Sequence, residues 1–538
     1  MRARGIESDL ALQGLVDDPP GDCDPDVLVP LRHIYDAGAW VILESAIADL
    51  PADLRWLLEA GAVSIEQLAN LHRVLGTTSA RDLTEAVQSQ ALRSVPGFDE
   101  ATEKAVSDAL PALRTAMPRI PLGRALETAE PFLAYLRTVP GVAWAVPAGS
   151  LRRGQDTVGD IELVAATMDP ATAIEGLCNL PGVDRCVHKS ADRVYLQIDR
   201  VQVAVRLVEP GNAGAALLRL TGSTQHLAAL TMHAHGRGWL LTAEGLWAFA
   251  GEPSPVRSEE EFYSAVGLPY IPPEIRESGE EVEAARGGAL PALVSRGDIR
   301  GDLHMHTIWS DGRDSIEAMV RSCQALGYQY LAITDHSQRS AAARSLTVKG
   351  VSAQADEIAQ VRELFPDVAI LHGCEVDIMP DGRLDFTDRI LERFDIVLAS
   401  LHERAGQSAD QLMERYGAAM RHPLVTLITH PSNRLVPHRP GYDLDYDRLF
   451  QMAVETGTIV EIDGAPAHLD LDGRMARRAV AAGVMLAINS DSHRTEVLDR
   501  QMNLGITMAR RGWVEPRHVL NTRTLAEVRA VIARKRSG

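Results

Sequence analysis

The sequence contains few cysteines, no long apolar run and no surplus of basic residues, and each absence excludes a class of protein. The five cysteines are scattered and form no CxxC pair, which predicts reduced thiols in a cytoplasmic protein and no disulfide framework. No run approaches the roughly 18 apolar residues of a membrane-spanning helix. The N-terminal stretch MRARGIESDLALQGLVDDPP lacks the apolar core of a secretory leader. We therefore expect a cytoplasmic protein without membrane contacts.

Net charge limits how this chain could bind nucleic acid. The formal net charge is −19 at pH 7, whereas proteins that coat nucleic acid non-specifically are usually basic. Any contact with DNA must therefore use a local basic surface. The 538 residues, of which 46% are hydrophobic, suffice for three or four domains with separate cores.

The first 118 residues contain leucines at three- and four-residue spacing, as in DLRWLLEAGAVSIEQLANLHRVLG, which predicts small packed helices. Residues 93–106, RSVPGFDEATEKAV, resemble a helix-hairpin-helix, in which a glycine turn presents backbone N–H groups to a DNA phosphate. Asp99 stands where that motif usually has its second glycine, and an acid repels a phosphate. We predict a helical region with a degenerate hairpin. The alternative is a helical bundle that no longer grips DNA well.

From residue 119 the pattern becomes mixed α/β. The stretch AVPAGSLRRGQDTVGDIELVAA predicts a strand, a Gly-Ser turn, a basic loop and a second strand. The backbone of the turn at Gly149 and Ser150 can approach phosphates, and Arg152 and Arg153 can supply positive charge to them. Asp160 and Glu162 share one face of the second strand, because side chains two residues apart on a strand point the same way.

These features resemble the palm of nucleotidyltransferases, specifically that of bacterial family X DNA polymerases. Residues 219–230, RLTGSTQHLAAL, resemble that family's TGS turn beside the nucleotide, and residues 259–277 resemble the end of its thumb. The resemblance implies a nucleotide site, vestigial in this chain, that is formed by Gly149, Ser150, Arg153, Asp160, Glu162, Thr221, Gly222 and Ser223.

The polymerase-like centre departs from the family at its carboxylates. Phosphoryl transfer by two metal ions needs three carboxylates that hold two Mg²⁺ ions about 4 Å apart. The family's Asp-x-Asp pair is Asp160-x-Glu162 here, and its third Asp matches Ala204, which cannot bind a metal. We therefore predict little or no polymerase activity. An active gap-filling polymerase would need another acid, such as Glu209, in place of the missing Asp.

The region from Asp298 onward alternates short β-branched runs with helical patterns, which predicts a parallel β/α barrel. Nearly every run ends in a histidine, an aspartate or a glutamate, and active sites of such barrels lie at the carboxyl ends of the strands. If the runs are barrel strands, nine side chains converge on one rim: His304, His306, Asp311, His336, Glu375, His402, His430, Asp491 and His493.

Imidazole and carboxylate ligands together suit Zn²⁺, Mn²⁺ or Fe²⁺ better than Mg²⁺ or Ca²⁺. Nine ligands are too many for one ion, but they fit a cluster of two or three divalent ions with a bridging carboxylate and a bridging hydroxide. Such a cluster generates hydroxide near neutral pH and neutralises the charge that builds on phosphate oxygens. We predict phosphoester hydrolysis by a metal-bound hydroxide, without a separate side-chain base.

The C-terminal region resembles the PHP (polymerase and histidinol phosphatase) domain, in the version that is fused to bacterial family X polymerases. The resemblance implies a distorted (β/α)7 barrel with Mn²⁺ or Zn²⁺ that acts as a 3′–5′ exonuclease and cleans 3′ ends in DNA repair. It also implies three ligand sets, namely His304, His306, Glu375 and Asp491 for one ion, Glu375, His402 and His430 for a second, and Asp311, His336 and His493 for a third.

The resemblances together divide the chain into five predicted segments. These are a helical N-terminal region with a degenerate hairpin (1–118), a nucleotidyltransferase-like α+β palm (119–210), a thumb (211–277), a linker (278–297) and a PHP metallohydrolase domain (298–538). Near the rim, Arg339, Arg344 and Arg434 are candidate contacts to the DNA backbone, although each is nearly as consistent with a solvated arginine.

The favoured function is a metal-dependent phosphoesterase that acts on DNA 3′ ends, with the polymerase-like part as a platform. We expect a monomer whose partner is DNA with free 3′ ends or gaps, and nucleotides are further candidate ligands. One alternative is an active gap-filling polymerase with a 3′–5′ exonuclease. Another is a small-molecule phosphatase of PHP type. A non-catalytic DNA-end binder fits least, because the ligand set is complete.

Overall fold

The structure is a computed structural model that describes residues 57, 62–75, 77, 80–116, 119–198, 201–242, 245–249, 251, 253–340, 345–403, 406–437 and 439–537. The chain divides into two compact units. One comprises residues 1–118 and 174–202, and the other comprises residues 119–173 and 203–538. No described helix combines the length and the apolar character needed to cross a membrane.

The described helices are numbered in chain order. Those before the barrel are α1 (Ile65–Leu75), α2 (Ala80–Gln88), α3 (Glu100–Ala116), α4 (Leu122–Thr138), α5 (Gly149–Arg152), α6 (Pro170–Cys178), α7 (Ala213–Thr221), α8 (Thr224–His235), α9 (Glu259–Ala265) and α10 (Glu280–Arg286). Those of the barrel are α11 (Ile316–Ala325), α12 (Val348–Leu364), α13 (Asp388–Leu391), α14 (Ala409–Arg421), α15 (Tyr446–Thr456), α16 (Gly473–Ala481), α17 (Leu498–Arg511) and α18 (Leu525–Ser537).

The described strands are numbered in the same way. Before the barrel they are β1 (Ile120–Pro121), β2 (Val142–Pro147), β3 (Thr157–Val158), β4 (Ile161–Thr167), β5 (Arg185–Lys189), β6 (Arg193–Ile198), β7 (Val201–Val208), β8 (Trp239–Thr242), β9 (Gly245–Ala248) and β10 (Pro253–Ser254). In the barrel they are β11 (Gly301–Asp302), β12 (Tyr330–Ile333), β13 (Ala369–Asp377), β14 (Ile396–Ser400), β15 (Leu427–Ile428), β16 (Ile459–Asp463) and β17 (Leu486–Asn489).

Helices α1 to α3 of the first unit pack around buried leucines such as Leu68 and Leu83, as their leucine spacing predicts. The degenerate hairpin precedes α3. There the Asp99 carboxylate accepts hydrogen bonds from the backbone N–H and the hydroxyl of Thr102, each at 2.8 Å. The helix N-terminus that would receive a DNA phosphate is therefore already capped by a carboxylate of the chain itself.

The barrel consists of seven parallel strands, β11 to β17, whose spatial order follows their order in the chain. Met305, just beyond β11, pairs in parallel with Ser492, just beyond β17, so the ring of strands closes at the carboxyl end. All four residues of β12 and of β17 are buried, as expected for parallel strands that helices cover on the outside. The predicted (β/α)7 fold is confirmed.

Within the second unit, helix α17 fastens the thumb and the palm to the barrel. Arg510 Nε donates a hydrogen bond to Glu274 at 2.6 Å. Arg511 Nη1 donates to Glu277 at 2.9 Å and to the Arg153 carbonyl at 2.7 Å. These contacts are charge-assisted and partly buried, which makes them stronger than exposed ion pairs.

Gly464, which follows β16, allows the strand end to touch α17 at backbone distance. A Cβ at this position would lie 1.9 Å from the Gln501 carbonyl oxygen, and backbone cannot move aside as a side chain can. We expect Gly464→Ala to lower the free energy of unfolding by about 1–3 kcal/mol, measured by urea denaturation. Gly211→Ala is the control, because a Cβ at Gly211 meets nothing within 4 Å. Equal stability of the two variants would contradict the prediction.

Candidate metal centre

The barrel strands place the predicted ligands at one end of the ring. Glu375 lies near the end of β13, and the other eight residues follow the carboxyl ends of β11, β12, β14, β15 and β17. A continuous network of contacts within 4.0 Å joins all nine side chains. We call these nine residues the rim cluster. The structure therefore brings together every side chain that was proposed as a metal ligand.

The first group of the rim cluster brings two imidazoles and two carboxylates close together. His304 Nε2 lies 3.1 Å from His306 Nε2, and Asp491 Oδ1 lies 3.6 and 3.0 Å from these two nitrogens. Glu375 Oε2 lies 3.4 and 3.5 Å from the same nitrogens. Ligands about 2.1 Å from a tetrahedral ion are separated by about 3.4 Å. His304, His306 and Asp491 form a group that could hold one ion, and Glu375 Oε2 lies next to its two imidazoles.

The second group uses the other oxygen of the same carboxylate. Glu375 Oε1 lies 3.0 Å from His430 Nε2 and 3.3 Å from His402 Nε2. Because the two Glu375 oxygens face different histidine pairs, this side chain has the arrangement of a bridging ligand. His336 Nδ1 also approaches Glu375 Oε2, at 2.9 Å.

The third group surrounds Asp311 in the turn after β11. His493 Nε2 lies 3.3 Å from Asp311 Oδ1, and His336 Nε2 lies 3.6 Å from Asp311 Oδ2. The side chains of Asp311 and His493 are 27% and 35% exposed, whereas His304 and His306 are fully buried. Asp311 and His493, together with His402 of the second group at 24% exposure, are therefore the members of the rim cluster that solvent and a substrate can reach.

Unpaired polar atoms show that the rim cluster fits divalent cations. Leaving a buried polar atom without a partner costs about 1–3 kcal/mol, and native structures have few such atoms. A cation among these side chains would satisfy them together. Among the described residues of the rim cluster, the buried atoms that make no hydrogen bond of acceptable geometry are Asp311 Oδ1, His336 Nδ1, Glu375 Oε2, His430 Nδ1 and Asp491 Oδ1. His336 Nδ1 and Glu375 Oε2 are among them although they lie 2.9 Å apart.

Without a cation, the electrostatics of the rim cluster depend on imidazolium–carboxylate pairing. Burial opposes ionisation of Glu375, but His336, His402 and His304 hold its pKa well below the usual value. Burial likewise opposes protonation of His402, but Glu375 and Asp377 raise its pKa to about 9. His493 is also buried, and Asp311 and Asp491 raise its pKa to about 9. Protons thus occupy positions that metal ions would take.

A second layer of carboxylates orients the histidines. Glu461 on β16 is fully buried, and it accepts hydrogen bonds from His304 Nδ1 at 2.9 Å and from the His430 backbone N–H at 2.9 Å. Asp377 accepts a hydrogen bond from His402 Nδ1 at 2.8 Å. With Nδ1–H donating, the Nε2 lone pairs of His304 and His402 point into the cluster, as metal ligation requires.

Two further residues join the rim cluster that sequence reasoning did not select. Asp463 ends β16, and His468 lies in the following loop; with Asp491 they form another group that could hold a metal ion. His468 Nδ1 donates to the Arg434 carbonyl at 2.9 Å, and its ring stacks on His430 at 5.2 Å. The run TIVEIDG contained a signal for Asp463, since it too ends in an acid. No local pattern indicated His468.

The three arginines proposed as DNA contacts have different surroundings. Arg339 has a 67% exposed side chain, and its Nε lies 3.7 Å from Asp385. Arg434 is mostly buried, donating to the His468 carbonyl at 2.8 Å and to Asp156 at 2.8 Å. Its guanidinium is therefore committed to contacts within the chain. Arg344 lies outside the described residues.

In the polymerase-like centre, strands β4 and β7 are parallel and place Ala204 directly beside Glu162. At this position β7 therefore offers no carboxylate. Arg206, two residues further along β7, lies with its Nε 3.7 Å from Glu162 Oε1. The positively charged guanidinium of Arg206 therefore lies near the carboxylate that would have to bind Mg²⁺ in a polymerase. Glu209 follows the end of β7 and is out of register with Glu162.

The predicted turn at Gly149 and Ser150 is present, but the guanidinium of Arg153 binds other residues of the chain. Gly149 and Ser150 begin the short helix α5. Arg153 Nη1 donates to the Thr221 carbonyl, and its Nε donates to Glu277 at 3.1 Å. Gly222 has φ +69°, and Ser223 caps α8 by accepting from the His226 N–H. Arg153 is thus an internal link between the palm and the thumb.

Comparison with known proteins gives matches in both halves of the chain. The family described as DNA polymerase beta thumb matches residues 216–277, and the PHP domain family matches residues 302–455. The DNA polymerase/3′-5′ exonuclease PolX of Bacillus subtilis (strain 168) is 37% identical over 508 residues, covering 94% of this chain and 89% of that protein. A probable phosphatase of Thermoanaerobacter sp. (strain X514) is 31% identical over 203 residues, covering 36% of this chain and 78% of that protein.

Among solved structures, Leishmania infantum polymerase beta in a ternary P/T complex covers 39% of this chain and 92% of that chain. The TM-score is 0.27 and the sequence identity is 18%. This likeness is too low to add to the argument.

Glu461 offers a test of how the second layer supports the rim cluster. Glu461→Gln replaces an acceptor oxygen by an N–H₂ donor that opposes the donors around it, so His304 and His430 lose their orientation. We expect the affinity for Mn²⁺ or Zn²⁺ to fall about 10- to 100-fold, measured by metal content after dialysis against metal buffers. The control is Glu455→Gln on the exposed face of α15. Unchanged metal affinity in Glu461→Gln would refute this supporting role.

Metal binding should depend on pH through the histidines. His402 and His493 have pKa values raised to about 9, so both are protonated at pH 7 and must lose a proton to bind an ion. The metal affinity should therefore rise from pH 6 to about pH 9 and level off above it. Isothermal titration calorimetry in buffers of different ionisation enthalpy should show proton release at pH 7. Binding without proton release would contradict the expectation.

Proposed function

The chain belongs to the bacterial family X DNA polymerases that carry a PHP domain, and from that membership we propose that it is a metal-dependent phosphoesterase acting on DNA 3′ ends. In this proposal it is a 3′–5′ exonuclease that processes 3′ ends in DNA repair, and its polymerase activity is lost. The observation that carries the proposal is the rim cluster around Glu375, with its buried unpaired ligand atoms. Mn²⁺ and Zn²⁺ are the favoured ions, with Fe²⁺ as a further candidate.

The rim cluster would hold two or three ions, with Glu375 between the first and second groups. When bound, such ions polarise a phosphate oxygen and lower the pKa of water for attack on phosphorus. The protein's part is positioning. The Glu375 oxygens set the separation between the histidine pairs, and Glu461 and Asp377 keep the His304 and His402 lone pairs directed inward. The exposed third group, with Asp311 and His493, is where a phosphodiester can enter.

Loss of the polymerase reaction is supported by the register of β4 and β7. Ala204 beside Glu162 leaves two carboxylates at most, and Arg206 lies close to one of them. An arginine in this place repels the cations that phosphoryl transfer needs. The likeness of PolX from Bacillus subtilis, whose name includes both activities, keeps polymerisation as an outcome for experiment to decide.

A second candidate function is hydrolysis of small phosphomonoesters. It is favoured by the likeness of the PHP half to a probable phosphatase. The same rim cluster would hydrolyse these phosphomonoesters. The polymerase-like part would then have a role other than holding DNA.

The decisive experiment uses a 5′-labelled primer–template with Mn²⁺, with and without nucleotides. We expect the wild-type protein to shorten the primer and His304→Ala to be slower by about a thousandfold or more, because ion binding is lost. Asp160→Ala should shorten the primer at the wild-type rate, and no sample should extend it.

The contrary outcomes identify the alternatives. Extension by the wild type that disappears in Asp160→Ala would establish the polymerase reading. No action on DNA, together with turnover of a small phosphomonoester that His304→Ala abolishes, would establish the phosphatase reading.

A further inference from the structure

A cavity of about 600 Å³ lies beside the rim cluster, in the second unit of the chain. Its walls come from the start of the palm around Arg119 and Asp156, from the loop after β15, and from the start of α16. We call it the arginine cavity, after its four arginines: Arg119, Arg434, Arg439 and Arg474. Its volume lies within the usual range for binding sites of small molecules and cofactors, about 300–1,000 Å³.

The acidic residues of the arginine cavity are all engaged. Asp156 pairs with Arg434 at 2.8 Å, and Asp472 lies 3.7 Å from the same guanidinium while it caps α16. Asp470 is buried and accepts hydrogen bonds from the backbone N–H and the hydroxyl of Ser432, each at 2.8 Å. Asp156 and Asp472 therefore both face Arg434, and with Asp470 the cavity holds three aspartates against four arginines, an excess of one positive charge.

The other three arginines of the cavity form no ion pair among the described residues. Arg119 donates to the hydroxyl and the carbonyl of Thr157, and Arg439 donates to the carbonyl and the side-chain oxygen of Asn433. Within the described part of the chain, no carboxylate oxygen lies within 4.0 Å of a guanidinium nitrogen of Arg119, Arg439 or Arg474. All three are exposed. In a protein of net charge −19, three such cations around one cavity form a local site for an anion.

The arginine cavity is joined to the rim cluster by its own wall. Arg434 donates through Nε to the His468 carbonyl, and the His468 ring stacks on His430 of the rim cluster. The Tyr442 hydroxyl lies 3.3 Å from the His402 carbonyl oxygen. The arginine cavity therefore lies one layer of side chains away from His430 and His402 of the rim cluster. Tyr442 and Tyr446 add aromatic surface to its walls, on which a base can lie.

We propose that the arginine cavity binds the phosphodiester backbone of the DNA strand whose 3′ end lies at the rim cluster, with Arg439 and Arg474 as its main phosphate contacts. The proposal rests on the proposed function, since it assigns the strand that the rim cluster would shorten. Several separate cations along one cavity suit a run of phosphates better than a single one. A free mononucleotide shares this chemistry, and the experiment separates the two.

The test measures binding of a 5′-fluorescein single-stranded oligonucleotide with a 3′-terminal phosphorothioate linkage, which resists hydrolysis, by fluorescence anisotropy in Mn²⁺. We expect Arg439→Ala/Arg474→Ala to weaken binding about tenfold or more. The slope of log affinity against log salt should become shallower by about 1.4, because each lost phosphate contact contributes about 0.7 for a single strand. Arg439→Lys/Arg474→Lys keeps both charges and should retain most of the wild-type slope.

The matched control is Arg529→Ala, which removes an exposed arginine from α18, the helix that packs at the opposite, amino-terminal end of the barrel strands. It should leave the affinity and the salt slope unchanged. Metal content and thermal unfolding of each variant show whether the rim cluster is still formed.

Unchanged oligonucleotide affinity and slope in the double alanine variant would overturn the proposal. So would a variant that loses only the binding of 5′-dAMP, measured by competition, because the cavity would then hold a mononucleotide. If the wild type does not shorten DNA while its oligonucleotide binding depends on Arg439 and Arg474, the proposed function fails and the DNA-binding cavity stands.

Discussion

The buried carboxylate of Glu375 is the feature on which the rest of the structure depends. It is 1% exposed, and an isolated carboxylate in such a place would be far too costly to bury. Histidines from the ends of β11, β12, β14 and β15 surround it, so positive charge reaches both of its oxygens. The barrel is what makes this possible, because closing the sheet turns seven strand ends towards one point. Protons or divalent cations then decide how the charge is balanced.

Within the second unit, arginines of the barrel also contact the palm and the thumb. Arg434 follows His430 by four residues, and it binds the carbonyls of the loop after β16 as well as Asp156 of the palm. Arg511 of α17 binds Glu277 and the Arg153 carbonyl in the same way. Two arginines that a polymerase or a nuclease could use for phosphates, Arg153 and Arg434, are therefore structural links. The positive charge that remains for a substrate lies on Arg119, Arg439 and Arg474.

Much of the rim cluster could be predicted because its signal is local. Nearly every member of the rim cluster stands at the end of a short β-branched run, and a strand end in a parallel barrel has a defined side. Asp463 carries the same signal in TIVEIDG and could have been selected. His468 could not, because it reaches the cluster only through the loop that stacks it on His430. The ion pair of Arg434 could not be predicted either, since its partner Asp156 lies 278 residues away in the sequence.

By itself, the sequence predicted the parallel barrel and the histidines and carboxylates at its strand ends, from residue identity and strand periodicity, which act over a few neighbouring residues. The resemblance to family X polymerases placed Ala204 where that family has its third carboxylate. Only the tertiary structure decided which atoms meet across the cluster, that Glu375 faces two groups at once, and which arginines stay unneutralised. Those outcomes depend on contacts between residues far apart in the chain, and no local pattern encodes the distance between two such atoms.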